Sequence, residues 1–250
     1  MGYSDIVSAN VVGYTGKTVE AGKYYLVGVQ FDKPGEAVGK VDMNDLISVS
    51  KDIVPGTYES DFATAPQIQV MNAAGGYESY YYISDATDEN DDELGYDCWA
   101  DGYGYELMDT DKLLLGSGFW FKSPTAGSIT VAGEVKSEAQ AVVAFPANKY
   151  AIISNPFPKA FSLADVVTTG VKPGTYDSDF EGASQIQVMN AAGGYESYYY
   201  ISDATDAEDE YVNYDCWADG YGYILEEDTV PAGASFWIKA NAAGTMGFTK

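Results

Sequence analysis

The chain contains no histidine and no arginine; all 13 of its basic residues are lysines. Without imidazole it cannot build Ser-His or Cys-His catalytic pairs, a histidine-ligated zinc or haem site, or an imidazole pH switch. Without guanidinium it lacks the forked group usually used to grip phosphate or carboxylate. Only two cysteines occur, Cys98 and Cys216, and no C-x-x-C metal spacing is present. Apolar runs are short, and nowhere do the roughly 18 consecutive apolar residues of a membrane helix follow one another. The start, MGYSDIVSANVVGY, has no basic stretch followed by an apolar one, so it does not read as a signal peptide. A leader removed before Met1 would leave no trace in these residues. Cations are scarce as well: 38 acids give a formal net charge of -25. Nucleic acid and anionic lipid heads are repelled by such a chain, so neither is an expected partner, nor is membrane insertion. Cations and neutral polymers fit better.

What is present is the material of strands. Hydrophobic residues make up 46% and charged residues only 20%, with 22 Tyr and 10 Phe among the aromatics. That balance suits a strand-rich globular protein with little helix. A length of 250 residues allows one large β domain or two of ordinary size.

An internal repeat decides between them. QIQVMNAAGGYESYYYISDATD at 67 to 88 recurs letter for letter at 185 to 206, and YDCWADGYGY at 96 to 105 recurs at 214 to 223. Around these blocks PGTYESDF (55 to 62) matches PGTYDSDF (173 to 180), and GSGFWFKS (116 to 123) matches GASFWIKA (233 to 240). Earlier, AGKYYLVGVQF (21 to 31) lines up with ANKYAIISNPF (147 to 157). The chain is two copies of one unit, and a period near 118 residues is that of a domain, not of a solenoid repeat or propeller blade. Two tandem, homologous all-β domains of sandwich or barrel-like form are expected, at 1–133 and 134–250. IVSANVV (6 to 12) aligns with ITVAGEV (129 to 135), and GTMGFTK ends the chain where GSITVAG stands in the first copy. The strand at 129 to 135 is thus free to close the first unit, open the second or be shared, and the strand at 6 to 12 is a candidate for linking or donation.

Within a copy, QIQVMN alternates apolar and polar positions, AAGG supplies a turn, and YESYYYIS resumes the alternation: a hairpin. Alternation puts Tyr77, Ser79, Tyr81 and Ile83 on one face and Glu78, Tyr80, Tyr82 and Ser84 on the other. If Ile83 marks the core, Tyr80 and Tyr82 look outward. GFWFK and SFWIK are further strands. Helix is confined to at most one short element per copy, at MNDLISV and at SLADVV, where Ser162 and Asp165 have capping-box spacing.

The succession of AGKYYLVGVQF, a Leu-containing short helix, IQVMNAAGGYESY, a Trp segment and GSGFWFKSPTAGSITVAGEV resembles the tandem β modules of bacterial secreted and cell-surface proteins. Those modules share a G-x-G/A-F/Y-W strand followed by a short Thr/Val strand. The resemblance implies an extracellular or cell-surface, all-β, non-catalytic building block. The density of Tyr and the acidic inserts before Trp99 and Trp217 depart from that pattern.

The acids gather where lysine is missing, from 52 to 111 and from 173 to 238. Asp88, Asn90 and Asp92 stand at alternate positions, as do Asp206, Glu208 and Glu210. Alternate oxygen ligands in a loop are what Ca²⁺ uses, although Glu93 occupies the glycine position of an EF-hand loop. A solvated acidic loop that keeps a tyrosine-rich surface soluble reads the same residues equally directly. Most of the tyrosines accompany these acids. Tyr80, Tyr82 and Trp99, with their counterparts Tyr198, Tyr200 and Trp217, are the candidate platforms for a protein interface or for stacking on sugars. Covering the sheet is the plainer alternative. Cys98 and Cys216 pair across the units, pair with other molecules, or are buried free thiols beside Trp.

Among so many carboxylates some pair meets glycosidase spacing by chance, and a catalytic site duplicated to the letter has no evident use, whereas binding and structural units gain avidity from duplication. No enzyme activity is expected. The sequence points first to a structural subunit that associates with itself in a surface layer or filament, and second to a bivalent carbohydrate-binding adhesin.

Overall fold

The computed structural model describes residues 12–32, 40–41, 43–72, 74–107, 113–190, 193–225 and 229–250. The protein is almost entirely β, 48% strand against 3% helix, in small antiparallel sheets set in a propeller-like arrangement of four blades. The first copy supplies β1 (Val12–Val19), β2 (Tyr24–Gly28), β3 (Lys40–Val41), the single-turn helix α1 (Met43–Leu46), β4 (Ile47–Val49), β5 (Gln67–Met71), β6 (Tyr77–Ile83), β7 (Cys98–Ala100), β8 (Leu113–Leu114), β9 (Gly118–Lys122) and β10 (Gly127–Glu134). The second supplies β11 (Gln140–Phe145), β12 (Tyr150–Ser154), β13 (Phe161–Ser162), a 3-10 turn (Leu163–Asp165), β14 (Val167–Thr169), β15 (Ser184–Met189), β16 (Tyr195–Ile201), β17 (Cys216–Ala218), β18 (Thr229–Val230), β19 (Ser235–Lys239) and β20 (Gly244–Thr249).

Each copy makes the same three sheets. Five strands run in the order β2-β9-β5-β6-β7 and, in the second copy, β12-β19-β15-β16-β17; three run β1-β10-β4 and β11-β20-β14; β3 pairs with β8 and β13 with β18. Among the described residues no sheet mixes strands of the two copies. The expected hairpin forms between β5 and β6, with Ile68 opposite Tyr80 and Gln69 opposite Ser79. Its turn is tied by Asn72, whose Oδ1 accepts the N–H groups of Ala74 and Gly76, both at 3.0 Å. The strand at 129 to 135 closes the first copy, because β10 pairs with β1 and β4, and the second copy opens with a strand of its own, β11. Residues 6–11 of the expected leading strand lie outside the described residues; the leading strand that is described runs from Val12 to Val19. Ser162 caps the 3-10 turn, its Oγ accepting the Ala164 N–H at 3.1 Å.

Core residues of the three- and five-stranded sheets of one copy meet in one cluster. Val19, Ile47, Ile129 and Val131 join Ile68, Phe119 and Phe121 in the first copy, and Ala141, Met246 and Phe248 join Ile186, Phe236 and Ile238 in the second. Each five-stranded sheet carries a second, smaller cluster on its other face, Ala65, Ile83, Ala86, Cys98 and Ala100 in the first copy and Ile201, Ala204 and Ala218 in the second.

The copies meet through the Gly28 and Gly118 ends of β2 and β9. Gly28 aligns with Ser154, Gly116 with Gly233 and Gly118 with Ser235. The Gly28 N–H donates to the Gly233 carbonyl at 2.8 Å, and the Ser154 N–H donates to the Gly116 carbonyl at 2.7 Å. Equivalent groups thus bond in opposite directions, as across a two-fold axis. Near that axis a residue meets its own counterpart, and the two glycines are needed there: a Cβ on Gly28 would lie 2.6 Å from Ser154 Cβ, and one on Gly118 would lie 2.5 Å from Ser235 Oγ. Fully buried Gln30 strengthens the seam, its Nε2 donating to the carbonyls of Asn155 (3.2 Å) and Phe157 (3.1 Å).

Candidate functional site

The tyrosines and tryptophans expected to form an outer platform are interior. Tyr80 is 4% exposed and Trp99 1%; Tyr198 is 7% and Trp217 3%. Tyr82 and Tyr200 are half-buried and lean on those tryptophans, with ring centroids 5.4 and 5.3 Å apart. The alternation along β6 is correct, but Ile83 does not mark the only inside. Its face covers the smaller cluster, while Tyr80 and Tyr82 face the main one. A strand covered on both sides has no outer face for its alternation to reveal. Tyr80 donates its phenol to Glu78 Oε2 at 2.8 Å, and burial, chiefly, raises its pKa.

The acidic loops have a backbone explanation. Asp88 Oδ1 accepts the N–H groups of Asn90 (2.8 Å) and Asp92 (3.0 Å), and Asp206 Oδ1 does the same for Glu208 (3.1 Å) and Glu210 (2.9 Å). These bonds, those from Asp92 and Asn90 first, hold the Asp88 carboxyl below its ordinary value. One carboxylate thereby ties the next two alternate residues through their main chain, so their side chains are free to change between copies. Asp101 and Asp219 repeat the device on Tyr103, Tyr105 and Tyr221, Tyr223. Among the described residues no group of three or more His, Cys, Asp or Glu could hold a metal ion.

Both cysteines are free thiols; Cys98 is buried and Cys216 half-buried. Burial pushes Cys98 up to about 12 and Cys216 up to about 11, away from thiolate reactivity.

Exposed tyrosines occur in many parts of the molecule, Tyr103 and Tyr221 at 75% among them, and one aromatic cluster lies at the junction of the copies. Trp120 and Trp237, equivalent residues, approach with ring centroids 6.1 Å apart. Tyr24 meets Trp120 edge-on at 6.0 Å, and Tyr150 meets Trp237 edge-on at 5.6 Å. Tyr77 also reaches across to Trp237 at 6.4 Å. Tyr24, Tyr77, Tyr150 and Tyr195 are each more than 40% exposed. Lys122 stands over the Tyr24 ring at 4.8 Å and Lys239 over Tyr150 at 5.5 Å. The sequence signal for this surface is in GFWFK: Phe119 and Phe121 alternate into the core, which leaves Trp120 and Lys122 together on the other face.

Comparison with known proteins finds no family model, no curated protein and no solved structure that matches the chain.

Proposed function

We propose that the protein is a non-catalytic, extracellular structural protein whose molecules associate by strand addition, and that each copy of its repeat is a sandwich-like β domain in its own right. Separate sheets and separate core clusters support the two-domain reading. The observation that carries the assembly reading is the outer edge of β11. Among the described residues β11 pairs only with β20. Its sequence, QAVVAF, has no charge and no proline, and Val142 is 68% exposed. Edge strands are ordinarily blunted by charge, proline or bulges, and an edge without them is a template for a strand of another molecule. By contrast β1, the corresponding edge of the first copy, turns Lys17 inward, one of the devices that deter such pairing.

Light scattering across a concentration series tests this. The native chain is expected to form species that are multiples of 26.9 kDa, and Val142→Lys is expected to hold it at the monomer mass. A native chain that stays monomeric at every concentration would remove the proposal.

A further inference from the structure

Acids outnumber lysines 38 to 13 in the chain, yet the cleft between the two copies reverses that balance. It consists of two cavities, of about 620 and 490 Å³, that share Lys23, Tyr24, Met189 and Gly193. Their walls hold two lysines, Lys17 and Lys23, and one carboxylate, Glu20. That carboxylate is already engaged, lying 2.8 Å from Lys23 Nζ. Lys17 is different. It lines the larger cavity with Val27, Ile129 and Val131, and its ammonium stands over the Tyr25 ring, 5.5 Å from the centroid. Burial lowers its pKa. Among the described residues no carboxylate pairs with this half-buried ammonium, so an anion entering the cavity would meet an unneutralised charge.

The smaller cavity has another chemistry. Trp120, Tyr24 and Tyr77 of the first copy face Tyr195 of the second, with Gln69 between them. The Gln69 amide makes one long bond, 3.5 Å to Ser79 Oγ, which leaves most of its donors and acceptors free for a ligand. Flat rings with an uncharged amide between them suit a pyranose, whose ring faces are apolar and whose rim is hydroxyl. A basic peptide is disfavoured by the lysines.

We propose that the junction cleft binds an oligosaccharide bearing a carboxylate, its rings lying against Trp120, Tyr77 and Tyr195 and its carboxylate meeting Lys17. Residues of both copies build the site.

The full chain is titrated with a xylose hexamer carrying a single glucuronate and, in parallel, with neutral hexamers of xylose and glucose, by calorimetry and by tryptophan emission. Trp99 and Trp217 are buried in the cores, so a change in emission on binding is expected to come from Trp120 and Trp237. The glucuronate-bearing hexamer is expected to bind and shift the emission, and Lys17→Gln and Tyr195→Ala are each expected to weaken it about tenfold or more while the circular dichroism stays native. Four results would overturn the proposal: neutral hexamers that bind as tightly, no hexamer binding at about 1 mM, Lys17→Gln that binds like the native chain, or variants whose effect is confined to self-association, which would assign Lys17 to guarding β1 or the aromatics to a protein partner.

Discussion

The two copies pack identical tryptophan segments against different supports. In the first, Asn44 on α1 clamps the backbone around Trp99: its Oδ1 accepts the Trp99 N–H at 2.7 Å, and its Nδ2 donates to the carbonyls of Trp99 (3.2 Å) and Leu107 (3.1 Å). The matching place in the second copy, one residue after the buried Leu163 as Asn44 follows buried Met43, holds Ala164. There a cavity of about 300 Å³ opens, lined by Ala164, Thr168, Cys216, Trp217 and Leu225 among others. The indole N–H, which the clamp does not hold, also has a different partner in each copy. Trp217 Nε1 donates to Thr168 Oγ1 at 2.9 Å, whereas Trp99 Nε1 uses the Ile47 carbonyl at 3.3 Å. A buried tryptophan strand therefore fixes the fold without fixing how its polar groups are satisfied, and the smaller residues of the second copy, Leu163, Ala164, Val166 and Val167 for Met43, Asn44, Leu46 and Ile47, line the gap beside the half-exposed cysteine.

That contrast can be broken at three points. The largest effect is expected from Asn44→Ala, which takes the partner from the Trp99 N–H and one donor from each of the Trp99 and Leu107 carbonyls, the Trp99 carbonyl still accepting the Leu107 N–H at 3.1 Å: about 2 kcal/mol of stability lost in denaturant unfolding. A loss below about 1 kcal/mol would mean that the clamp is ornamental. Thr168→Val in the second copy should cost about 1 kcal/mol, because it removes one acceptor from the Trp217 N–H. A neutral result there would show the indole satisfied another way. The smallest effect concerns reactivity, not stability. Cys216 should be alkylated faster than Cys98, followed by peptide mass, and equal rates would deny the gap. Both thiols hold their protons to higher pH in the fold, at about 12 and 11. The folded state then binds more protons than the unfolded one once pH passes about 8.5, so their contribution to stability is whole below that pH and declines as pH rises through the folded values.

Much of this architecture was legible from the residues. The duplication, the β5–β6 hairpin, the strands GFWFK and SFWIK and the short helical turns all follow from local pattern and turn chemistry. The site was less legible for two physical reasons. Alternation divides a strand into faces but does not say how many of them are covered, which is why Tyr80, Tyr82 and Trp99 read as a platform. Nor does it reveal that Asp88 accepts main-chain N–H groups of its own loop, since alternate acids look alike whether or not the first of them ties the backbone. The junction could have been suspected from the aligned copies themselves: Gly28 against Ser154 and Gly118 against Ser235 are differences inside otherwise similar strands.

Those four positions make the halves complementary and no longer interchangeable. Two second halves brought together the same way would set serine against serine where only a hydrogen fits, and two first halves would leave both recesses empty. A duplication that began with like meeting like has become a lock with its own key, so that shape as well as the connecting chain now selects which half each half embraces.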